Sequence, residues 1–347
     1  MLRRLPCYLL FLVALTSQAG PPSGRLNGQT FVRYSPLATP LEVARRGLSP
    51  LTYDRLERYL HFAGHHLATQ AINLEEERFD LYVPARAGNR REYGLLVWLA
   101  PQEDYPVPRD WVAELDRRGI IYVSAQRSGN SRLVLDRRIP LALHAAENVI
   151  NQYPVDRQRV YVAGFSGGSR TALKLAVGYP DLFRGALLNA GSDVFGERGL
   201  SLPDAALTAL LQERSRLVYT TGVRDMPNKR QDAASRVSSE ARCIRHLHVL
   251  SMPGLEHAPP DRRSFSRAMA LLDSDPAPDA GLQECRNRIM AVIENSLDSV
   301  GKLLAGGEVA NAGERLGELD EEWGGLAAPG SVVLARRISE RLNAASQ

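Results

Sequence analysis

Lysine is nearly missing from this 347-residue chain. It stands only at Lys174, Lys229 and Lys302, so the 43 basic side chains are almost all arginine. The arginines are scattered and often sit beside acids, as in Asp136-Arg137-Arg138 and Asp261-Arg262-Arg263. A net charge of +4 distributed in this way describes a solvated mixed-charge surface. It argues against the clustered basic groove with interleaved aromatics that a nucleic-acid partner requires. Cysteine is scarce as well, with three residues and neither a CxxC pair nor a His/Cys cluster, so no metal or other cofactor is expected.

Long apolar runs are confined to the N-terminus. Arg3 and Arg4 precede an apolar stretch from Leu5 to Leu15, followed by Thr16-Ser17-Gln18-Ala19-Gly20. A basic start, a short apolar core and small residues at Ser17 and Ala19 predict a secretory signal peptide over 1–19, cleaved after Ala19. The stretch is shorter than the roughly 20 residues a membrane span needs, so no stable span is expected after cleavage. Cys7 lies early in that core, not at its end, which does not suit a lipid-acylated cysteine. Export to the periplasm or the medium leaves Cys243 and Cys285, an even pair in an oxidising compartment. They form either a disulfide or two buried thiols.

Beyond the leader, residues 20–70 form a mixed segment broken by Pro36, Pro40 and Pro50, with a helix expected over Tyr53–Leu67. An alternation of strands and helices follows over 71–273. Arg78–Val83 alternates at period two, as a half-buried strand does. Tyr93–Leu99, Gly119–Ser124, Arg159–Ala163, Gly185–Asn189, Arg216–Thr221 and His246–Leu250 are apolar runs of strand length. Helical patterns over Pro108–Arg118, Ile139–Tyr153, Ser169–Tyr179 and Ala234–Ile244 separate most of them. This order predicts an α/β fold with a mostly parallel sheet covered by helices on both faces. Residues 274–279 read as a linker, and 280–347 as an appended helical unit with an apolar stripe through Ile289, Ile293 and Leu297.

One motif stands where chemistry would need it. Gly164-Phe165-Ser166-Gly167-Gly168 follows an apolar strand and opens a helix, the setting in which GxSxG presents a nucleophilic serine on a tight turn. A hydroxyl needs a base to take its proton and an acid to orient that base, in the chain order Ser, Asp or Glu, His. Only His246, His248 and His257 follow the serine. The first two fall within the final predicted strand, whereas His257 lies in the loop just beyond it, at the edge where catalytic side chains of parallel sheets gather. His257 is the candidate base. Two acids end strands at that edge, Asp225 and Asp193. The acid more often follows the strand before the one delivering the histidine, which favours Asp225 and keeps Asp193 as the alternative.

A tetrahedral oxyanion needs backbone donors. Gly167 N–H is one. The second is expected from the loop after Leu99, where Pro101 has no N–H, leaving Gln102. Gln126–Asn130 (QRSGN) reads equally as a pocket lining or as a plain turn.

Several of these residues resemble a known family. Tyr153–Tyr179 with Asp156, Val160-Tyr161-Val162 and the elbow, and then Tyr179-Pro180-Asp181-Leu182-Phe183, are similar to exported esterases of the polyhydroxybutyrate depolymerase and feruloyl esterase type. Gly222…Asp225 and Gly254…His257…Pro259 are similar to the acid and histidine loops of that group. The resemblance covers about residues 75 to 272. It implies the α/β-hydrolase fold and cofactor-free hydrolysis of a small-molecule or polymeric ester. The His-Gly pattern common after the third strand of many esterases is missing after Leu99. Two other readings share the motif: a serine peptidase of prolyl-oligopeptidase type, and a non-catalytic binding protein on a hydrolase fold.

Overall fold

The computed structural model describes residues 22–88 and 90–345, so the leader over 1–19 and Cys7 lie outside the described residues. Eight strands form one sheet: β1 (Gly24–Gln29), β2 (Phe79–Val83), β3 (Tyr93–Leu99), β4 (Ile120–Ala125), β5 (Val155–Phe165), β6 (Gly185–Asn189), β7 (Arg216–Gly222) and β8 (Leu247–Met252). Their spatial order is β1-β2-β4-β3-β5-β6-β7-β8. Strands β3 to β8 pair in parallel, while β2 runs antiparallel to both β1 and β4.

The helices are α1 (Pro40–Gly47), α2 (Pro50–Phe62), α3 (Val112–Arg118), α4 (Ile139–Gln152), α5 (Gly167–Gly178), α6 (Ala205–Arg214), α7 (Met226–Glu240), α8 (Arg262–Leu272), α9 (Leu282–Ala305), α10 (Val309–Trp323) and α11 (Gly330–Ala345). Alternate strand residues face opposite sides of the sheet, and each side is sealed separately. Leu95, Val97, Val160, Val162 and Leu188 pack against Leu141, Ala145 and Val149 of α4 and Leu173 and Ala176 of α5. Leu96, Trp98, Tyr161, Ala163 and Val218 face Trp111, Leu115 of α3 and Phe265 and Met269 of α8. A sheet covered on both sides explains why the middle strands read as unbroken apolar runs.

Several expectations are corrected. Strand β2 is buried at all five positions and not half-buried, because Phe79, Leu81 and Val83 sit in one core with Phe31, Ile72 and Leu74, and Tyr82 sits in the core on the other face. Its one acid, Asp80, is satisfied internally, accepting from Gly28 N–H (3.0 Å) and Gln126 Nε2 (2.9 Å). Strand β8 is the sheet's edge, and Val249 within it is exposed. Helix α2 stops at Phe62 and does not run to Leu67. Gly64 takes φ +63°, while His65 N–H donates to Leu60 C=O and Gly64 N–H to His61 C=O, a glycine-terminated C-cap. Phe62 at its end is exposed, and the buried residue of α2 is Asp54, paired with Arg58 and Arg336. Strand β1 and helices α6 and α8 were not legible as separate elements.

The last three helices enclose a core of their own with Ile289, Ile293, Leu316, Leu319 and Ile338. They lean on the rest of the chain through named contacts. Arg336 donates to Asp54 (2.6 Å), Arg286 to Gln212 (2.6 Å) and Glu213 (3.0 Å), and Arg242 to Glu322 C=O (2.7 Å). Cys243 and Cys285 are joined in a disulfide, with Cα atoms 6.0 Å apart.

Candidate active site

The elbow forms where β5 ends and α5 begins. Ser166 takes φ 55° and ψ −120°, a strained conformation for a residue with a side chain. Its N–H donates to Asn189 C=O (2.8 Å) on the neighbouring β6, which fixes the turn to the sheet. The turn is so tight that a Cβ at Gly164 would strike the Gly168 carbonyl, and one at Gly168 would strike the Leu99 carbonyl. That crowding is why the motif requires glycine at both positions.

Asp225 ends the turn after β7, immediately before α7, and His257 lies in the loop after β8. Ser166 Oγ is 2.9 Å from His257 Nε2, and His257 Nδ1 is 2.7 Å from Asp225 Oδ2. A carboxylate beside Nδ1 keeps the proton on that nitrogen, which leaves Nε2 as an acceptor facing the serine hydroxyl. Phe165 packs a tilted ring against the imidazole, with centroids 4.8 Å apart. The histidine side chain keeps 45% of its surface exposed while Asp225 keeps 6%, so the base meets solvent and its partner does not.

The structure brings Ser166, Asp225 and His257 together and leaves Asp193 apart. Asp193 is buried and faces Arg170 and Arg198, each 3.4 Å away. Burial raises its carboxyl above the usual range, against the pull of Lys174 and the two arginines. His246 and His248, read as structural, lie at the start of β8, and burial lowers both.

On the other side of the serine, the 100–103 loop is stitched to the 126–130 turn. Ser128 N–H donates to Glu103 C=O (3.0 Å) and Asn130 N–H to Pro101 C=O (2.9 Å). Gln102 is exposed at the tip of that loop, and Gly167 opens α5 opposite it. Ser131 Oγ and Arg132 hold Glu103 from the far side, at 2.5 and 3.0 Å.

Three polar residues at the site escaped the sequence reading. Asn228, one turn into α7, donates from Nδ2 to both oxygens of Asp225 at 2.9 Å and lies 3.1 Å from His257 Nδ1. Its only sequence signal is the spacing of three from Asp225. Asp232 lies deeper in α7, hydrogen-bonded by Thr221 Oγ1, and burial pushes it up to about 6. Arg138 was read as part of a solvated mixed-charge run. Its neighbour Arg137 is partly exposed and pairs at 2.7 Å with a buried Glu77, and Arg138 is only 3% exposed.

Residues 141–239 match the family model described as "Esterase PHB depolymerase". That stretch runs from α4 through the elbow to the end of α7, including Ser166 and Asp225 but not His257. No curated protein matches the sequence. Among solved structures, the chain is similar to a poly(3-hydroxybutyrate) depolymerase from Bordetella parapertussis at 18% identity, covering 60% of this chain and 88% of that one with a TM-score of 0.42. It is also similar to an S-formylglutathione hydrolase from Staphylococcus aureus at 13% identity, covering 56% and 91% with a TM-score of 0.42. A thermostable esterase matches at 16% identity and a TM-score of 0.38, and the chain spans 56% of that protein's length. With the elbow set in a mostly parallel sheet between covering helices, the chain has the architecture of the α/β-hydrolase fold, and over residues 141–239 it resembles the PHB depolymerase esterases.

Proposed function

We propose that this is an exported esterase in which Ser166 is the nucleophile, His257 the general base and Asp225 the acid that orients it. The observation that carries the reading is the unbroken contact from Oγ to Nε2 (2.9 Å) and from Nδ1 to Oδ2 (2.7 Å). Ser166 Oγ attacks the ester carbonyl carbon as its proton passes to Nε2 and the carbonyl π pair moves onto oxygen. The resulting oxyanion takes hydrogen bonds from Gly167 N–H and Gln102 N–H. Collapse expels the alcohol, which takes the proton from Nε2, and leaves an acyl-serine ester. Water, deprotonated by His257, then repeats the attack and frees the acid. Asp225 stays ionised and stabilises the imidazolium that forms at each step.

The substrate is a small-molecule or polymeric ester, and no metal or cofactor enters the scheme. Residues 71–273 carry the catalytic side chains, 20–70 form an N-terminal segment whose β1 joins the same sheet, and 280–347 form a helical extension. Export is supported by the leader pattern over 1–19 and by the Cys243–Cys285 bridge, which suits an oxidising compartment.

The test is covalent. The mature protein should be labelled stoichiometrically by a fluorophosphonate probe, and Ser166→Ala should abolish labelling; equal labelling of the variant would sink the assignment. Nitrophenyl esters of increasing chain length, run beside peptide amides, then define the substrate class. Turnover of amides alone would replace the esterase by a peptidase.

A further inference from the structure

The GxSxG turn needs glycine at 164 and 168 but not at 167, and the backbone at Gly167 is not in the left-handed region. The residue that fills its side-chain space explains the third glycine. A Cβ on residue 167 would collide with Oδ1 of Asn130 and lie 2.7 Å from its Cγ and 2.8 Å from its Nδ2. The Asn130 carboxamide therefore occupies the place of a side chain at 167, directly against the residue whose N–H is assigned to the oxyanion.

Arg138 fixes which way that carboxamide faces. Its guanidinium donates from Nε to Ser128 C=O (3.0 Å), from Nη1 to Asn130 Oδ1 (3.3 Å) and Gly167 C=O (3.3 Å), and from Nη2 to Ala100 C=O (2.8 Å). A guanidinium only donates, so the Asn130 atom turned to it is the oxygen, and Nδ2 is turned away from it. Among the described residues Nδ2 donates to no protein acceptor, and Asn130 is exposed. Nor does Arg138 have a carboxylate within ion-pair distance among the described residues. A buried cation held only by carbonyl and amide oxygens is costly to place.

We propose that Asn130 Nδ2 is an additional oxyanion donor, supplied by a side chain beside the backbone donors, and that Arg138 is its positioning residue. The inference rests on the esterase reading above. Asn130 N–H also donates to Pro101 C=O, so the same residue anchors the loop that carries Gln102. Arg138 ties that loop, the 126–130 turn and the elbow into one body. It also leaves a fixed positive charge near the point where negative charge develops.

The experiment uses the full mature chain and two variants, Asn130→Ala and Asn130→Asp, assayed for kcat, KM, fluorophosphonate labelling and thermal midpoint. Wild-type protein that neither labels nor turns over nitrophenyl esters would reject the esterase reading itself, before the variants are considered. Given an active wild type, both variants should lose about 10²–10³-fold in kcat with KM within about threefold, the cost of one oxyanion donor. Asn130→Asp is the discriminating variant, because its carboxylate still accepts from Arg138 and keeps a purely structural tie while losing the donor. Wild-type kcat in either variant would overturn the proposal, as would a loss confined to KM or to the thermal midpoint. Gly167→Ala should displace the carboxamide. Adding it to Asn130→Ala should then cost little further, whereas fully additive losses would count against a shared role. Arg138→Lys keeps the charge but not the fork, and should lower kcat while leaving KM unchanged.

Discussion

On one side of Ser166 stand Asp225 and His257, each placed just past the end of a regular strand. On the other side stand the 100–103 loop and the 126–130 turn, which begin directly after β3 and β4, and Arg138, which precedes α4. The first side is built by the sheet: parallel strands end at one edge, and side chains just beyond β7 and β8 must meet there. The second starts from the same edge, after β3 and β4, and is stitched as well, by Arg138 and a pair of backbone hydrogen bonds between its two loops. The difference teaches where each side should fail. Damage to the strand-borne side should remove chemistry outright, and damage to the stitched side should blunt it by misplacement.

The largest expected effect is on the strand-borne side. Asp225→Asn leaves the shape intact but removes the charge that sets the histidine tautomer, and kcat should fall by roughly 10⁴-fold. Asp193→Asn, tested beside it, should stay within about tenfold of wild type. Reversal of that order in a single assay would make Asp193 the working acid.

Next comes stability. The Cys243–Cys285 bridge closes a 42-residue separation and ties α9 to the segment between α7 and β8, the two elements that flank the acid and the base. Replacing both cysteines with serine should cost about 4 kcal/mol of unfolding free energy with kcat unchanged at 25 °C. A denaturant titration and an ester assay on the same preparation separate the two. Loss of kcat without loss of stability would mean that the helical extension shapes the site.

Asp232 gives a smaller, pH-dependent effect on the same side. Burial raises its carboxyl from 3.8 to about 6, so the folded state binds its proton more tightly than the unfolded one. Its stabilising contribution is therefore complete below about pH 4 and is lost as pH rises through 6, a difference of about 3 kcal/mol. Asp232→Asn should be more stable than wild type at pH 8 and equal to it near pH 4, as read from denaturant midpoints. A constant offset across that range would reject the titration. The smallest effect sharpens the comparison from the stitched side: Arg138→Lys should cost about 10²-fold in kcat through misplacement, less than loss of the Asp225 charge.

How much could be read in advance follows the same division. Strands β3 and β6 begin and end where their runs were read, because a strand covered on both faces needs an unbroken apolar run. The elbow was legible because sterics tie glycine to two fixed offsets from the serine. Strand β1 was not, since Gly24–Gln29 is largely exposed and polar and is held by its pairing with β2. Asn228 was out of reach for a related reason, and for Asn130 the turn was legible as a candidate pocket lining but its place against Gly167 was not. An asparagine beside a turn is ordinary until the fold puts a carboxylate or an oxyanion donor next to it. Arg138 misled outright, since its neighbours in sequence are charged and its neighbours in space are carbonyls.

The chain's own pattern determined the α/β order, the nucleophile's turn and the sequence of serine, acid and histidine, because each depends on local sterics or on apolar periodicity. The tertiary structure set Asp225 and not Asp193 against His257, joined the two cysteines and set a buried guanidinium behind the elbow. Those are questions of distance between residues far apart in sequence, and only closure of the sheet and packing of its loops set such distances.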